Sequence, residues 1–128
     1  DAWAQRLEQA LKGESAQVVS PLTLGGHMDH ALTRAAAEKL GRRLWYYPDY
    51  PYAAMHAVDV PAWLGPGWEG LAQVISDQGL EAWQAAVAAY ASQVSSFWPG
   101  TEAMRAAVAA YAQTQAGFRL WRKIGESG

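Results

Sequence analysis

The stretch Pro21 to Arg34, PLTLGGHMDHALTR, constrains the fold of this chain more than any other. A β-branched pair, Val18-Val19, leads into it, and Gly25 and Gly26 then break the chain. His27, Asp29 and His30 follow within four residues, as a helical pattern begins. Strand, glycine turn, polar cluster and helix is the order in which α/β proteins present side chains to the crevice at the carboxyl ends of their strands. Of the chain's 3 histidines, the third, His56, stands in an Ala-Met-His-Ala context with no metal-ligand spacing and reads as a loop or packing residue.

His27 and His30 are three positions apart, so at a helix start they share a face. The positive end of the helix dipole favours the neutral imidazole, the form that binds metal ions. Asp29 is placed to fix the tautomer of one ring, as carboxylates behind metal-bound histidines do. The same residues equally describe two surface histidines on a polar helix start.

The surrounding pattern places this cluster in an α/β fold. Residues 2 to 12 predict an amphipathic helix with Trp3, Leu7, Ala10 and Leu11 as its stripe. Residues 17 to 22 predict a strand, and 28 to 41 a helix with Leu32, Ala35, Ala36 and Leu40 inward and Arg34, Glu38 and Lys39 outward. Residues 43 to 47 predict a second strand. Strand, helix and strand make a βαβ unit with parallel strands. The loop Pro48 to Tyr52 then leaves the same sheet edge as the histidines, so Tyr47, Asp49 and Tyr52 face one crevice with them.

Residues 53 to 70 read as irregular chain, with Val58 and Val60 in a short strand and Trp63 and Trp68 as packing residues or cleft walls. Val74-Ile75 suggest another short strand, capped into a helix by Ser76 or Asp77. Hydrophobic spacing then predicts two long helices, about 79 to 97 and 102 to 123, joined by Pro99-Gly100-Thr101 and packed antiparallel. Arg119, Arg122 and Lys123 read as the solvated face of the second.

Composition narrows the function. The chain has 128 residues, suited to one modest domain with a single core. Its net charge is −2 with scattered basic residues, which argues against a nucleic-acid footprint. There is no cysteine, so disulfides and thiolate zinc sites are excluded, and a cytoplasmic setting is expected. No apolar run approaches the roughly 18–20 residues of a membrane helix, and no stretch has the pattern of a signal peptide.

Four segments taken in order resemble the PIG-L (LmbE-like) family of zinc-dependent N-deacetylases. Gly26-His-Met-Asp-His30 is similar to the family's H-P-D-H signature, with Met28 in place of proline. Leu44 to Tyr52, LWYYPDYPY, is similar to its Y-x-D-x-P-Y segment. Ala89 to Gln93, AYASQ, resembles its A-Y-x-S-Q helix, and Met104 to Trp121 its closing helix.

The resemblance implies a Rossmann-like three-layer fold with a parallel sheet, of which residues 1–128 are a single domain forming the C-terminal portion. It implies a hydrolase that removes the N-acetyl group of an N-acetylglucosamine-type conjugate with a zinc-activated water. His30 maps onto a zinc ligand. His27 maps onto the residue that stabilises the oxyanion and protonates the leaving amine, and Asp29 onto the group that orients His27. Tyr47 and Tyr52 are expected to meet the sugar, and Asp49 either to hold the loop or to meet a sugar hydroxyl.

The family's H-P-D-D segment, with two zinc ligands and the general base, is absent from these 128 residues. The chain opens on DAWAQRLEQAL without Met, a pattern already mid-helix. The remaining zinc ligands are therefore expected outside the chain, on a missing N-terminal half or another chain, a homo-oligomer included. By itself the fragment is expected to be inactive. The alternative is a non-catalytic α/β module that binds a ligand or partner.

Overall fold

The computed structural model describes residues 2–113 and 118–125. In chain order the elements are α1 (Ala2–Ala10), β1 (Val18–Pro21), α2 (Met28–Glu38), β2 (Leu44–Tyr47), α3 (Tyr52–Met55), α4 (Val60–Leu64), β3 (Trp68–Gln73), α5 (Asp77–Ala88), α6 (Ala91–Phe97), α7 (Thr101–Gln113) and β4 (Phe118–Lys123). The architecture is α/β, with an open four-stranded mixed sheet in the order β1-β2-β4-β3.

β1 and β2 pair in parallel, Val18 opposite Leu44 and Pro21 opposite Tyr47, as the strand–helix–strand pattern predicts. The other pairings are antiparallel, so the expectation of a parallel sheet holds for this one pair. Tyr46 lies opposite Trp121 between β2 and β4. Between β3 and β4, the Ile124 N–H donates to the Gly67 carbonyl at 2.7 Å and Arg122 pairs with Glu69.

The chain forms two compact units. The first comprises residues 1–71 and 120–128, and the second comprises residues 72–119, inserted between β3 and β4.

In the first unit, Leu22, Leu24, Ala37, Leu44, Tyr46, Ala53 and Trp121 form the core. Leu22 is fully buried, a burial that contributes roughly 1.5–3 kcal/mol. α2 packs on β1 with Ala36 and Ala37 buried, small side chains that let helix and sheet approach closely.

The expected inward face of α2 holds in part. Ala36 is buried and Glu38 and Lys39 are exposed as expected, but Leu32 is 58% exposed and Arg34 is half-buried, reaching back to the sheet. The reason is a closed polar network. Arg34 Nη1 donates to the Leu22 carbonyl at 2.9 Å and Nε to Glu38 at 2.7 Å. The guanidinium lies 4.9 Å from the Tyr46 ring centroid, and the Tyr46 hydroxyl donates to Glu38 at 3.1 Å. Burial acts to raise the Glu38 carboxyl, but Arg34, the Tyr46 hydroxyl and Lys123 together hold it below its ordinary value.

On α1, Ala4 is buried and Trp3 faces out beside Arg6, so the predicted stripe is not followed there. The end of α1 is held by Arg42, which donates to the carbonyls of Leu11 and Glu14.

Residues 53 to 70 are more regular than their glycines and prolines suggest. Val60 begins α4, not a strand, because Asp59 caps it by accepting from the Ala62 N–H at 3.2 Å and Pro61 suits a first turn. The strand expected at Val74-Ile75 lies earlier, at β3. Trp68 packs edge-on against Tyr46, and Trp63 is exposed.

In the second unit, Ser76 caps α5 by accepting from the Gly79 N–H at 3.0 Å. α5 and α7 pack through Trp83 and Tyr111, and the Gln84 amide donates to the Arg105 carbonyl. The single helix predicted over 79 to 97 is two. Tyr90 leaves helical geometry at φ −91°, ψ 63°, and α6 begins after it.

The closing helix predicted to 123 does not reach that far: α7 is described to Gln113, and residues 118–123 form a strand, β4, in place of the end of a second long helix. Residues 114–117, part of that predicted helix, lie outside the described residues. β4 alternates its side chains. Trp121 enters the core, while the Arg122 guanidinium lies 4.7 Å from the Trp45 ring centroid. The three basic residues expected on a solvated helix face therefore sit on a sheet strand. No described helix is long and apolar enough to cross a membrane.

Candidate functional site

The C-terminal ends of β1 and β2 carry the site. After β1 the chain turns at Thr23 to Gly26, closed by the Gly26 N–H donating to the Thr23 carbonyl at 3.1 Å. Gly26 adopts φ 66°, a region glycine enters without a Cβ clash. Thr23 adopts φ 69°, which few non-glycine residues do. His27 then caps α2 from an extended backbone, its carbonyl accepting the first helical bond from Ala31.

His27 and His30 come together as the sequence predicts, their rings 5.6 Å apart and edge to face. Gly25 forms the floor beside them. A β-carbon at position 25 would stand 3.1 Å from the His27 ring and 3.2 Å from the Tyr52 ring. Tyr52 thus joins the cluster from the second loop, with His56 tilted against it at 4.3 Å. His56 is a packing neighbour of Tyr52, as its sequence context suggests.

Asp49 takes the first of its two expected places and holds the loop. It is 1% exposed, and both carboxylate oxygens are engaged inside the protein. Oδ1 accepts from the Thr23 N–H at 2.8 Å, and Oδ2 lies 2.5 Å from His30 Nδ1. Its own carbonyl accepts from Ala53 at 2.8 Å, starting α3. This burial leaves the carboxylate no free edge for a sugar hydroxyl.

Asp29, expected to orient His27, is exposed in the first turn of α2, where its charge suits the helix dipole. Its side chain bonds neither histidine. The histidine that has a carboxylate behind it is His30, and the carboxylate is Asp49. Spacing pointed to Asp29 because it is adjacent in sequence; the loop after β2 brings in a residue nineteen positions from His30.

Tyr47 is half-buried beside Asp49. Burial, and then the Asp49 charge, push its phenol above the ordinary value. Tyr50 is raised by burial. The Tyr50–Pro51 peptide bond is cis.

Among the described residues, no group of three or more His, Asp or Glu side chains stands close enough to hold a metal ion. His30 suits one position of a zinc site: its Nδ1 is tied to a buried carboxylate, the arrangement that supports metal-bound imidazole. The other ligands of such a site would come from outside the described residues. No family model matches the chain, and neither the curated proteins nor the solved structures contain a match to it.

Proposed function

We propose that this chain supplies the second half of the active site of a zinc-dependent N-deacetylase, a cytoplasmic hydrolase acting on an N-acetylglucosamine-type conjugate. The observation that carries the reading is the pairing of His30 with the buried Asp49, next to His27, at the shared edge of two parallel strands. The α/β fold is read as the C-terminal part of a Rossmann-like three-layer domain.

His30 is the residue that would hold the metal, through Nε2. Zinc, when bound, would lower the pKa of water towards ~7 and polarise the amide carbonyl. His27, on an exposed helix start and without an acidic partner, would donate a hydrogen bond to the amide oxygen and pass its proton to the leaving amine. Tyr52 and Tyr47 would form the wall that meets the sugar ring, Tyr47 as a neutral hydroxyl. Asp29 has no contact through which to tune His27 and is left as a helix-start charge. The remaining ligands and the base would come from an N-terminal half or another chain.

A second reading is a non-catalytic α/β module that binds a ligand or partner at this edge. Met28 favours it, being 76% exposed between the two histidines.

Zinc content and acetate release separate the two. In the complete enzyme His30→Ala loses zinc, while His27→Ala keeps zinc and loses turnover by roughly 10²–10⁴-fold. Residues 1–128 alone release no acetate. Full zinc occupancy in His30→Ala would remove His30 from the ligand set, and undiminished turnover in His27→Ala would remove the acid role.

A further inference from the structure

The two oxygens of Asp49 are committed to different partners, and that commitment fixes a proton. An ionised carboxylate only accepts hydrogen bonds. Oδ1 accepts from the Thr23 N–H, so Oδ2 faces His30 Nδ1 as a second acceptor. At 2.5 Å, Nδ1 has to be the donor. A neutral imidazole has one N–H, so Nε2 then carries a bare lone pair. The His30 side chain is 39% exposed, whereas that of Asp49 is 2% exposed. The imidazole is thus the accessible member of the pair, and the negative charge is enclosed.

We propose that Asp49 is the positioning residue of this edge: it locks His30 in the Nδ1–H tautomer and presents Nε2 as an electron-pair donor to a divalent cation or an acidic proton. This assigns Asp49 a place in the site without substrate contact. Its consequence for zinc rests on the deacetylase reading, but the tautomer itself does not.

The geometry makes Asp49→Asn a test of tautomer and not of shape. The Thr23 N–H still requires an acceptor. Turning the amide so that its NH₂ faces Thr23 would leave that N–H unsatisfied, at a cost of about 1–3 kcal/mol. The amide oxygen therefore stays on Thr23 and the NH₂ faces His30. Nδ1 then accepts, and the imidazole proton moves to Nε2. A replacement of nearly the same size inverts the ring's donor and acceptor.

The experiment is nitrogen NMR of the 128-residue chain carrying ¹⁵N-labelled histidine rings, at about pH 8, where an ordinary imidazole is neutral. His30 is assigned by the signals lost in His30→Gln. In the unsubstituted chain Nδ1 should show the protonated shift and Nε2 the unprotonated one; in Asp49→Asn the two should exchange. An Nε2–H tautomer in the unsubstituted chain, or Nδ1–H retained in a folded Asp49→Asn variant, would overturn the proposal. The first measurement does not depend on Asp49→Asn, so a misfolded Asp49→Asn leaves the test decisive. Failure of the deacetylase reading would leave the tautomer signals as expected, whereas failure of this proposal would alter them whatever the zinc content of the complete enzyme.

Discussion

Gly70 on β3 lies directly against the indole of Trp121 on β4. A β-carbon at position 70 would stand 2.8 Å from Trp121 Cζ3 and 2.9 Å from Cη2. The indole is itself wedged in the core with Leu22, Leu44 and Tyr46, so it has little room to retreat. Gly70→Ala should destabilise the first unit by about 1–3 kcal/mol, the range for overpacking. Urea unfolding followed by tryptophan fluorescence measures it, and an unchanged midpoint would mean that the ring moves aside freely.

Gly25 makes a similar close approach with a different consequence. Its missing side chain leaves room between the exposed ring of His27 and the half-buried ring of Tyr52. Alanine there should shift these rings by a few tenths of an ångström while leaving the core intact. Stability should change by less than about 1 kcal/mol, as at other sites away from the core. On the deacetylase reading proposed above, turnover should fall roughly tenfold to a hundredfold through misplacement of His27. A Gly25→Ala enzyme with normal turnover and shifted His27 resonances would separate His27 placement from catalysis.

Glu38 links the fold to pH. Its carboxyl is held below the ordinary value of 4.5, so the folded chain favours the ionised form. The contribution is fully present above 4.5 and is lost as pH falls through the lower folded value. Glu38→Gln removes this dependence. The stability difference between the two proteins, measured from pH 7 down to pH 3, should be largest at the neutral end and shrink with acid. A difference that grows with acid would reverse the sign assigned here.

The parallel β1–β2 pair and the meeting of His27 with His30 were legible in the sequence because both follow from local order: valines, glycines, a polar helix start, then an aromatic strand. The role of Asp49 was not, since it depends on the backbone of Thr23 and on burial, neither of which spacing reports. Helical periodicity misled at Tyr90 because a 3-4-3 stripe survives a break between two short helices. It misled again at 118–123, where Arg119-Leu-Trp-Arg-Lys123 has no apolar–polar alternation to mark a strand and the longer helical pattern runs on through it. Leu32 looked like core because apolar residues are counted inward, yet it is exposed in the first turns of α2, while Arg34 turns in to the Leu22 carbonyl.

The second unit enters and leaves the first at Leu71 and Leu120. With Gly67 bonded to Ile124 and Glu69 paired with Arg122, the same antiparallel spacing sets Leu71 opposite Leu120. β3 and β4 are neighbours in the sheet, and the chain from Gln73 to Phe118 is their connection. A two-residue turn such as Asn-Gly could bridge those positions in its place. Every residue assigned to the histidine edge lies outside the excised segment. The histidine edge and the helices α5, α6 and α7 therefore belong to different units of the chain.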